Sequence, residues 1–179
     1  TLLTKYDNVF VGGAIVNDLY EAKGYEVGKS LVSGNPSAAE LLLNSKILIP
    51  ETVTTSSPSG REDKRADTVQ KDEIISDIAP PSIEVLRPLV EKSRMILWNG
   101  PMGHFETGFT QGTDALAKLI ADAPGKTIVG GGDTIASIQN LGLMDKFTFI
   151  STAGGAMLDF LANGTLPAIE ALENSKGLS

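Results

Sequence analysis

The chain has no cysteine, a single histidine, a single tryptophan and no long apolar run. Without cysteine there is no disulfide, no thiolate metal site and no thiol nucleophile, a composition that fits a cytoplasmic enzyme. With His104 alone, a histidine metal cluster or a Ser-His-Asp triad has almost nothing to be built from. Its only acidic neighbour in sequence is Glu106, and a surface or loop position is expected for it. No stretch approaches the about 20 apolar residues of a membrane helix, so no membrane partner is expected. Thr1 opens the chain with neither a basic, apolar leader nor an initiator methionine, from which a fragment or a processed chain is expected. Positive charge is also scarce: 15 Lys and Arg face 22 Asp and Glu, for a net charge of -7. An acidic surface repels a polyphosphate backbone, which argues against nucleic acid but leaves room for a small phosphorylated ligand at a local site.

Glycine is what the sequence has in abundance. The 179 residues, 41% hydrophobic and 21% charged, suit one soluble globular domain spanning 1–179, and 19 of them are glycine. Four short apolar runs end in glycine-rich turns: Val9-Phe10-Val11 at Gly12-Gly13, Met95-Ile96-Leu97-Trp98 at Asn99-Gly100-Pro101-Met102-Gly103, Thr127-Ile128-Val129 at Gly130-Gly131-Gly132, and Phe147-Thr148-Phe149-Ile150 at Ser151-Thr152-Ala153-Gly154-Gly155. Helical spacing follows three of them, at Ile15-Leu19-Ala22, Ile135-Ile138-Leu141 and Met157-Leu158-Leu161, with Gly142 and Gly164 placed to end the last two helices. Short buried strands alternating with helices predict a three-layer, doubly wound, Rossmann-like α/β fold with a mainly parallel sheet and helices on both faces. Lys46–Ile49 reads as a further buried strand. Thr52–Thr55 and Thr68–Gln70 read as weaker ones, and Ser56–Arg65 as a solvated loop. Ser82–Glu91 reads as a helix that Pro88 interrupts.

In such a sheet ligands gather at the carboxyl ends of the strands, where all four glycine turns fall. A helix starting there presents unpaired N–H groups and roughly half a positive charge, and glycine lets a phosphate approach the backbone closely. One glycine pair reads as tight strand-to-helix packing; four at equivalent positions read as phosphate chemistry. Asp133 fits two roles, an N-cap or a carboxylate facing Mg²⁺ on a nucleotide. Thr134 likewise either donates to a phosphate or simply begins the helix. Two familiar motifs fail. Gly24-Tyr-Glu-Val-Gly28-Lys29-Ser30 is one residue short of a P-loop and carries Glu26 where phosphates would lie. Gly130 and Gly132 match a dinucleotide fingerprint whose third glycine is replaced by Ile135, which disfavours a nicotinamide cofactor.

Taken in order, the motifs resemble the phosphoglycerate kinase family from about Val9 to Leu172. Trp98-Asn-Gly-Pro-Met-Gly103 with Phe105-Glu106 is similar to that family's adenosine signature, Gly130-Gly-Gly-Asp133-Thr134 to its nucleotide-phosphate loop, and Ser151-Thr-Ala-Gly-Gly-Ala156 to its second phosphate loop. Gly24–Val32 and Leu166–Leu172 match in character. The resemblance implies reversible phosphoryl transfer between 1,3-bisphosphoglycerate and ADP in glycolysis, with ADP or ATP as substrate and Mg²⁺ as cofactor. It implies that Gly12, Gly13 and Pro101 line the adenine pocket, that Glu106 binds the ribose and that Asn99 lies near the phosphates. Gly131, Gly132 and Thr134 would hold the phosphates, Asp133 would meet Mg²⁺, and Gly154 and Gly155 would stabilise the phosphoryl group in transit.

The resemblance also implies a partial C-terminal domain of a monomeric two-domain parent. The family's N-terminal domain, which binds 3-phosphoglycerate or 1,3-bisphosphoglycerate, has no counterpart here, nor has the first strand-turn-helix of the nucleotide domain with its lysines. The chain alone is therefore expected not to turn over. Ile75 stands where the family has a glycine beside the base, and Ala153 replaces the first glycine of the last loop, a change tolerated only at negative φ. The alternative is a non-catalytic nucleotide- or phosphate-binding module, or a degenerate structural domain.

Overall fold

The computed structural model describes residues 2–175. A short helix α1 (Leu2–Lys5) leads into β1 (Val9–Phe10), helix α2 (Ile15–Ala22), helix α3 (Ala38–Leu42) and β2 (Ile47–Leu48), which pairs with β1 in parallel. Next come β3 (Thr52–Ser57), β4 (Gly60–Arg65) and β5 (Ile74–Ile78), an antiparallel sheet in the order β4-β3-β5. Helices α4 (Pro80–Glu84) and α5 (Arg87–Lys92) precede β6 (Met95–Asn99). Then follow α6 (Gln111–Ala121), β7 (Lys126–Gly130), α7 (Gly132–Asn140), β8 (Phe149–Ser151), α8 (Gly154–Asn163) and α9 (Pro167–Ser175), with β6-β7-β8 all parallel. The molecule is thus α/β and Rossmann-like, as its glycine turns predict. Its parallel strands stand in two separate groups, β2-β1 and β6-β7-β8, and the antiparallel sheet is an addition.

Several local expectations are corrected. The charged stretch read as a solvated loop contains β4, whose six residues pair with β3 from Thr52↔Arg65 to Ser57↔Gly60. Five of those six residues are exposed, so β4 is an edge strand with its charges in water, and pairing outweighs its low β propensity. Thr68–Gln70 is no strand; Ala66–Thr68 forms one 3-10 turn. In α2 the buried face is Val16, Leu19 and Tyr20, whereas Ile15 is 70% exposed and Ala22 is exposed. The helix expected over residues 82–91 is indeed interrupted, but the break lies at Val85 and Leu86, and Pro88 stands in the first turn of α5, where its missing N–H costs nothing. Gly142 and Gly164 carry the positive φ of helix ends, at 67° and 79°. The core joins Val16, Leu19 and Tyr20 to Val53, Ile78, Ile83, Trp98, Val129 and Ile138. Among the described residues, no helix is long and apolar enough to cross a membrane.

Candidate functional site

Because β6, β7 and β8 are parallel and in register, the turns that follow them lie side by side. Three of them close on one point. A Cβ added to Gly154 would lie 2.5 Å from Asn99 Oδ1 and 2.6 Å from the Gly131 nitrogen, and one added to Gly130 would lie 2.9 Å from Asn99 Oδ1 and 3.1 Å from the Gly154 Cα. Gly131 caps α7 at φ 97°, a conformation open to glycine, with Gly100 and Thr134 Oγ1 as its neighbours. Asn99, Gly131, Thr134 and Gly154 are thereby brought together. Two polar atoms at this point, Asn99 Oδ1 and Thr134 Oγ1, are buried with no hydrogen-bond partner, although Thr134 is 0% exposed. A buried polar atom without a partner is costly, and Asn17 Oδ1 in α2 is a third such atom among the described residues.

The turn after β1 meets the same end of the molecule from the other side. Gly12 sits against the Met102 sulfur and Gly13 against the Pro101 carbonyl, so Gly12, Gly13, Asn99 and Pro101 share a cavity of about 740 Å³. Ile75, only 6% exposed, also lines it. The turn after β6 is braced by bonds that the sequence did not disclose. The Trp98 indole donates to the Gly100 carbonyl at 2.9 Å, the Met102 N–H to Thr113 Oγ1 at 2.9 Å, and the His104 N–H to the Ser76 carbonyl at 2.8 Å. Asp77 is buried behind them, accepting from the Gly112 N–H at 3.1 Å and the Ile78 N–H at 2.8 Å. A Cβ on Gly103 or Gly112 would collide with its carboxylate. Burial pushes the Asp77 pKa up to about 6, against the pull of those two N–H donors. No short motif announces this brace, because its partners come from β5, α6 and the turn after β6.

The remaining candidates are placed as follows. Gly132 and Asp133 open α7 and are exposed. Asp133 is not the N-cap that residue type suggests: Gly131 is, and no side chain caps the helix, which leaves the Asp133 carboxylate in the first turn. Gly155 is exposed and Gly154 buried at the start of α8, and Ala153 before them has φ -109°, so its methyl is accommodated. Glu106 stands apart, exposed on a 3-10 turn (Phe105–Thr107) that follows the cavity-lining His104. The failed P-loop is structural. Gly28 bridges to Ile74, its N–H donates to Glu26 Oε1 at 2.9 Å, and the Lys29 N–H donates to the Glu73 carbonyl. Among the described residues, no cluster of three or more His, Cys, Asp or Glu is arranged to hold a metal ion by itself.

Comparison with known proteins gives one consistent answer. A family model described as phosphoglycerate kinase matches residues 1–164. The chain is 36% identical to a phosphoglycerate kinase of Nitratidesulfovibrio vulgaris, over 99% of this chain and 49% of that protein. It is 40% identical to one of Haemophilus influenzae, over 93% of this chain and 45% of that protein. Among solved structures, it superposes on phosphoglycerate kinase of Coxiella burnetii with a TM-score of 0.83 and 37% identity, covering 97% of this chain and 48% of that one. The corresponding values for phosphoglycerate kinase of Pyrococcus horikoshii are 0.85, 34%, 98% and 47%. The chain spans about half the length of the relatives it matches.

Proposed function

Because this chain belongs to the phosphoglycerate kinase family, we propose that it supplies the MgADP/MgATP site of a cytoplasmic, monomeric phosphotransferase that exchanges a phosphoryl group between 1,3-bisphosphoglycerate and ADP in glycolysis. The observation that carries this reading is the convergence of Asn99, Gly131, Thr134 and Gly154, with two buried polar atoms lacking partners. Gly12, Gly13 and Pro101 receive the adenine in the apolar cavity, and Glu106 accepts from the ribose hydroxyls. Thr134 Oγ1 and the backbone N–H groups of Gly131 and Gly132 hold the nucleotide phosphates, with the Asn99 carboxamide beside them. Gly154 and Gly155, at the start of α8, offer N–H groups to the group in transit, and the helix dipole adds to them. The residues present fit Mg²⁺ held jointly by phosphate oxygens and the exposed Asp133 carboxylate; when bound, it neutralises phosphate charge. Phosphoglycerate would be held by the half of the relatives that this chain does not span.

Calorimetric titration of MgADP into the chain tests the nucleotide site. Saturable binding is expected, weakened about tenfold in Thr134→Val by loss of one hydroxyl bond. Absence of any MgADP binding, or identical affinity in the variant, removes the assignment. A second reading, nucleotide binding without turnover, draws on the absence of any Lys or Arg among the described residues that line the cavity. Phosphoryl-transfer assay of the complete reading frame separates the two.

A further inference from the structure

Two strands of the antiparallel sheet reach across to the segment that carries Glu106. Residues 103–109 close on themselves: a Cβ added to Gly103 would lie 2.6 Å from the Phe109 carbonyl. Within the segment, the Thr107 N–H, the Thr107 hydroxyl and the Phe109 N–H all donate to the His104 carbonyl, at 3.1, 3.1 and 3.2 Å. The Gly108 N–H donates to the Phe105 carbonyl at 3.0 Å, and Gly108 ends the 3-10 turn at φ 80°. These bonds fix the shape of the segment. Its place in the molecule depends on anchors outside it.

The first anchor is β5, whose Ser76 carbonyl accepts from the His104 N–H at 2.8 Å. The second is Arg61 on β4. Its guanidinium donates through Nη1 to the Gly108 carbonyl at 3.2 Å and through Nη2 to the Thr107 carbonyl at 3.4 Å. Its Cζ lies 3.8 Å from the centre of the ring of Phe109, which is buried. One planar group thus holds the carbonyls of the turn's last residue and of its glycine cap, and lies on the ring that follows, a combination an ammonium does not reproduce. The two anchors are themselves joined: Arg61 faces Ser56 in the β3–β4 register, and the Ser56 and Ser76 hydroxyls share a hydrogen bond of 2.7 Å. Arg61 makes no ion pair with Glu106, whose carboxylate keeps its capacity to accept. Nor is it among the residues that line the cavity. We infer that Arg61 is a positioning residue for the ribose: by tying the Phe105–Thr107 turn to the antiparallel sheet, it holds the Glu106 carboxylate where the sugar hydroxyls meet it. The inference rests on the nucleotide reading of the site. A turn fixed in advance leaves less to be ordered when the ligand binds, so the anchor acts through affinity for the sugar.

The test compares MgADP with Mg²⁺-loaded 2′,3′-dideoxyADP by calorimetric titration of the intact chain. The wild type is expected to prefer ADP by about tenfold, the worth of hydroxyl bonds to a carboxylate. Arg61→Ala is expected to cut that preference to about twofold by weakening ADP alone, and Arg61→Lys, which keeps the charge and loses the fork, to behave like it. Adding Arg61→Ala to Glu106→Gln is expected to change nothing further, because both act on one contact. In the free chain, Arg61→Ala is expected to speed exchange of the Gly108 and Phe109 amides about tenfold while leaving β6 and β7 amides unchanged, a readout that involves no nucleotide. Unchanged exchange at those two amides overturns the inference. So does an equal loss of affinity for the two nucleotides, or a full preference in Arg61→Lys, either of which assigns Arg61 to attraction of the polyphosphate through space. A wild type that binds both nucleotides alike overturns it as well. A wild type that binds no MgADP takes down the nucleotide reading and the inference together, whereas a preference that survives Arg61→Ala takes down the inference alone.

Discussion

The two kinds of sheet in this molecule are finished to different degrees. The antiparallel sheet closes its own polar accounts. Lys64 on β4 reaches Glu73 at 2.6 Å and Glu62 at 2.8 Å, Glu73 also accepts from the Gln70 N–H at 2.7 Å, and Thr54 donates to Asp63 at 2.6 Å. Burial works to raise the Glu73 pKa, but the Lys64 pair and the Gln70 N–H outweigh it and the net shift is downward. The parallel strands are the opposite case: two groups with facing open edges, a cavity between them, and Asn99 Oδ1 and Thr134 Oγ1 buried without partners. One region satisfies its buried polar groups from within; the other leaves two of them unpaired beside a cavity, which is the contrast the nucleotide-site proposal draws on.

The largest expected effect comes from adding bulk where the parallel region is tightest. Gly154→Val puts side-chain atoms onto Asn99 and the Gly131 backbone, and is expected to cost about 3 kcal/mol of stability and all detectable MgADP affinity. A well-folded variant with normal affinity would show that the three turns do not act together. Next is the joint between the regions, Asp77. Its pKa rises from 3.8 to about 6, so the native state keeps this proton longer than the unfolded chain. Its stabilising contribution is full below pH 3.8 and is lost as pH rises to about 6, by about 2 to 3 kcal/mol. Denaturant melts at pH 4 and pH 7 should show this slope reduced in Asp77→Asn; equal slopes would put the pH dependence elsewhere.

Glu73→Ala should destabilise by about 2 kcal/mol through loss of charge-assisted bonds. MgADP affinity should be unaltered, and any matching loss of affinity would erase the contrast between the two regions. The smallest effect on stability is expected for Asp133→Ala, within about 0.5 kcal/mol, because the side chain is exposed and caps nothing. Here the sensitive readout is the difference between ADP titrations with and without Mg²⁺. That difference should shrink in the variant, and its persistence would release Asp133 from the metal.

Four of the five parallel strands were legible because each is an apolar run that meets a glycine-rich turn, and β2, which leads into Pro50, was legible from its aliphatic run alone; all these features are local. Of the residues singled out from the sequence, Gly12, Gly13, Asn99 and Pro101 share the cavity, and Gly131 and Gly154 adjoin. β4 was not legible, because Arg61-Glu62-Asp63-Lys64-Arg65 has the composition of a loop and becomes a strand only through its partner β3. The buried face of α2 was misjudged for a related reason. Ile15 belongs to the wall of the open cavity, not to the core, and periodicity does not distinguish the two. The Asp77 brace joins residues 35 apart in sequence, and no spacing rule reaches that far.

Trp98 gives the turn after β6 an optical consequence. It is the single tryptophan, 5% exposed, with its indole N–H fixed on the Gly100 carbonyl, and it lies on β6 in the wall of the cavity, just before the Asn99-Gly100 turn. Its ultraviolet emission therefore comes from one known place, free of background from other indoles. A ligand that moved the Gly100 turn would disturb the hydrogen bond at one end of that ring and so change the emission. The protein thus carries a native indicator of change at this turn that needs no label.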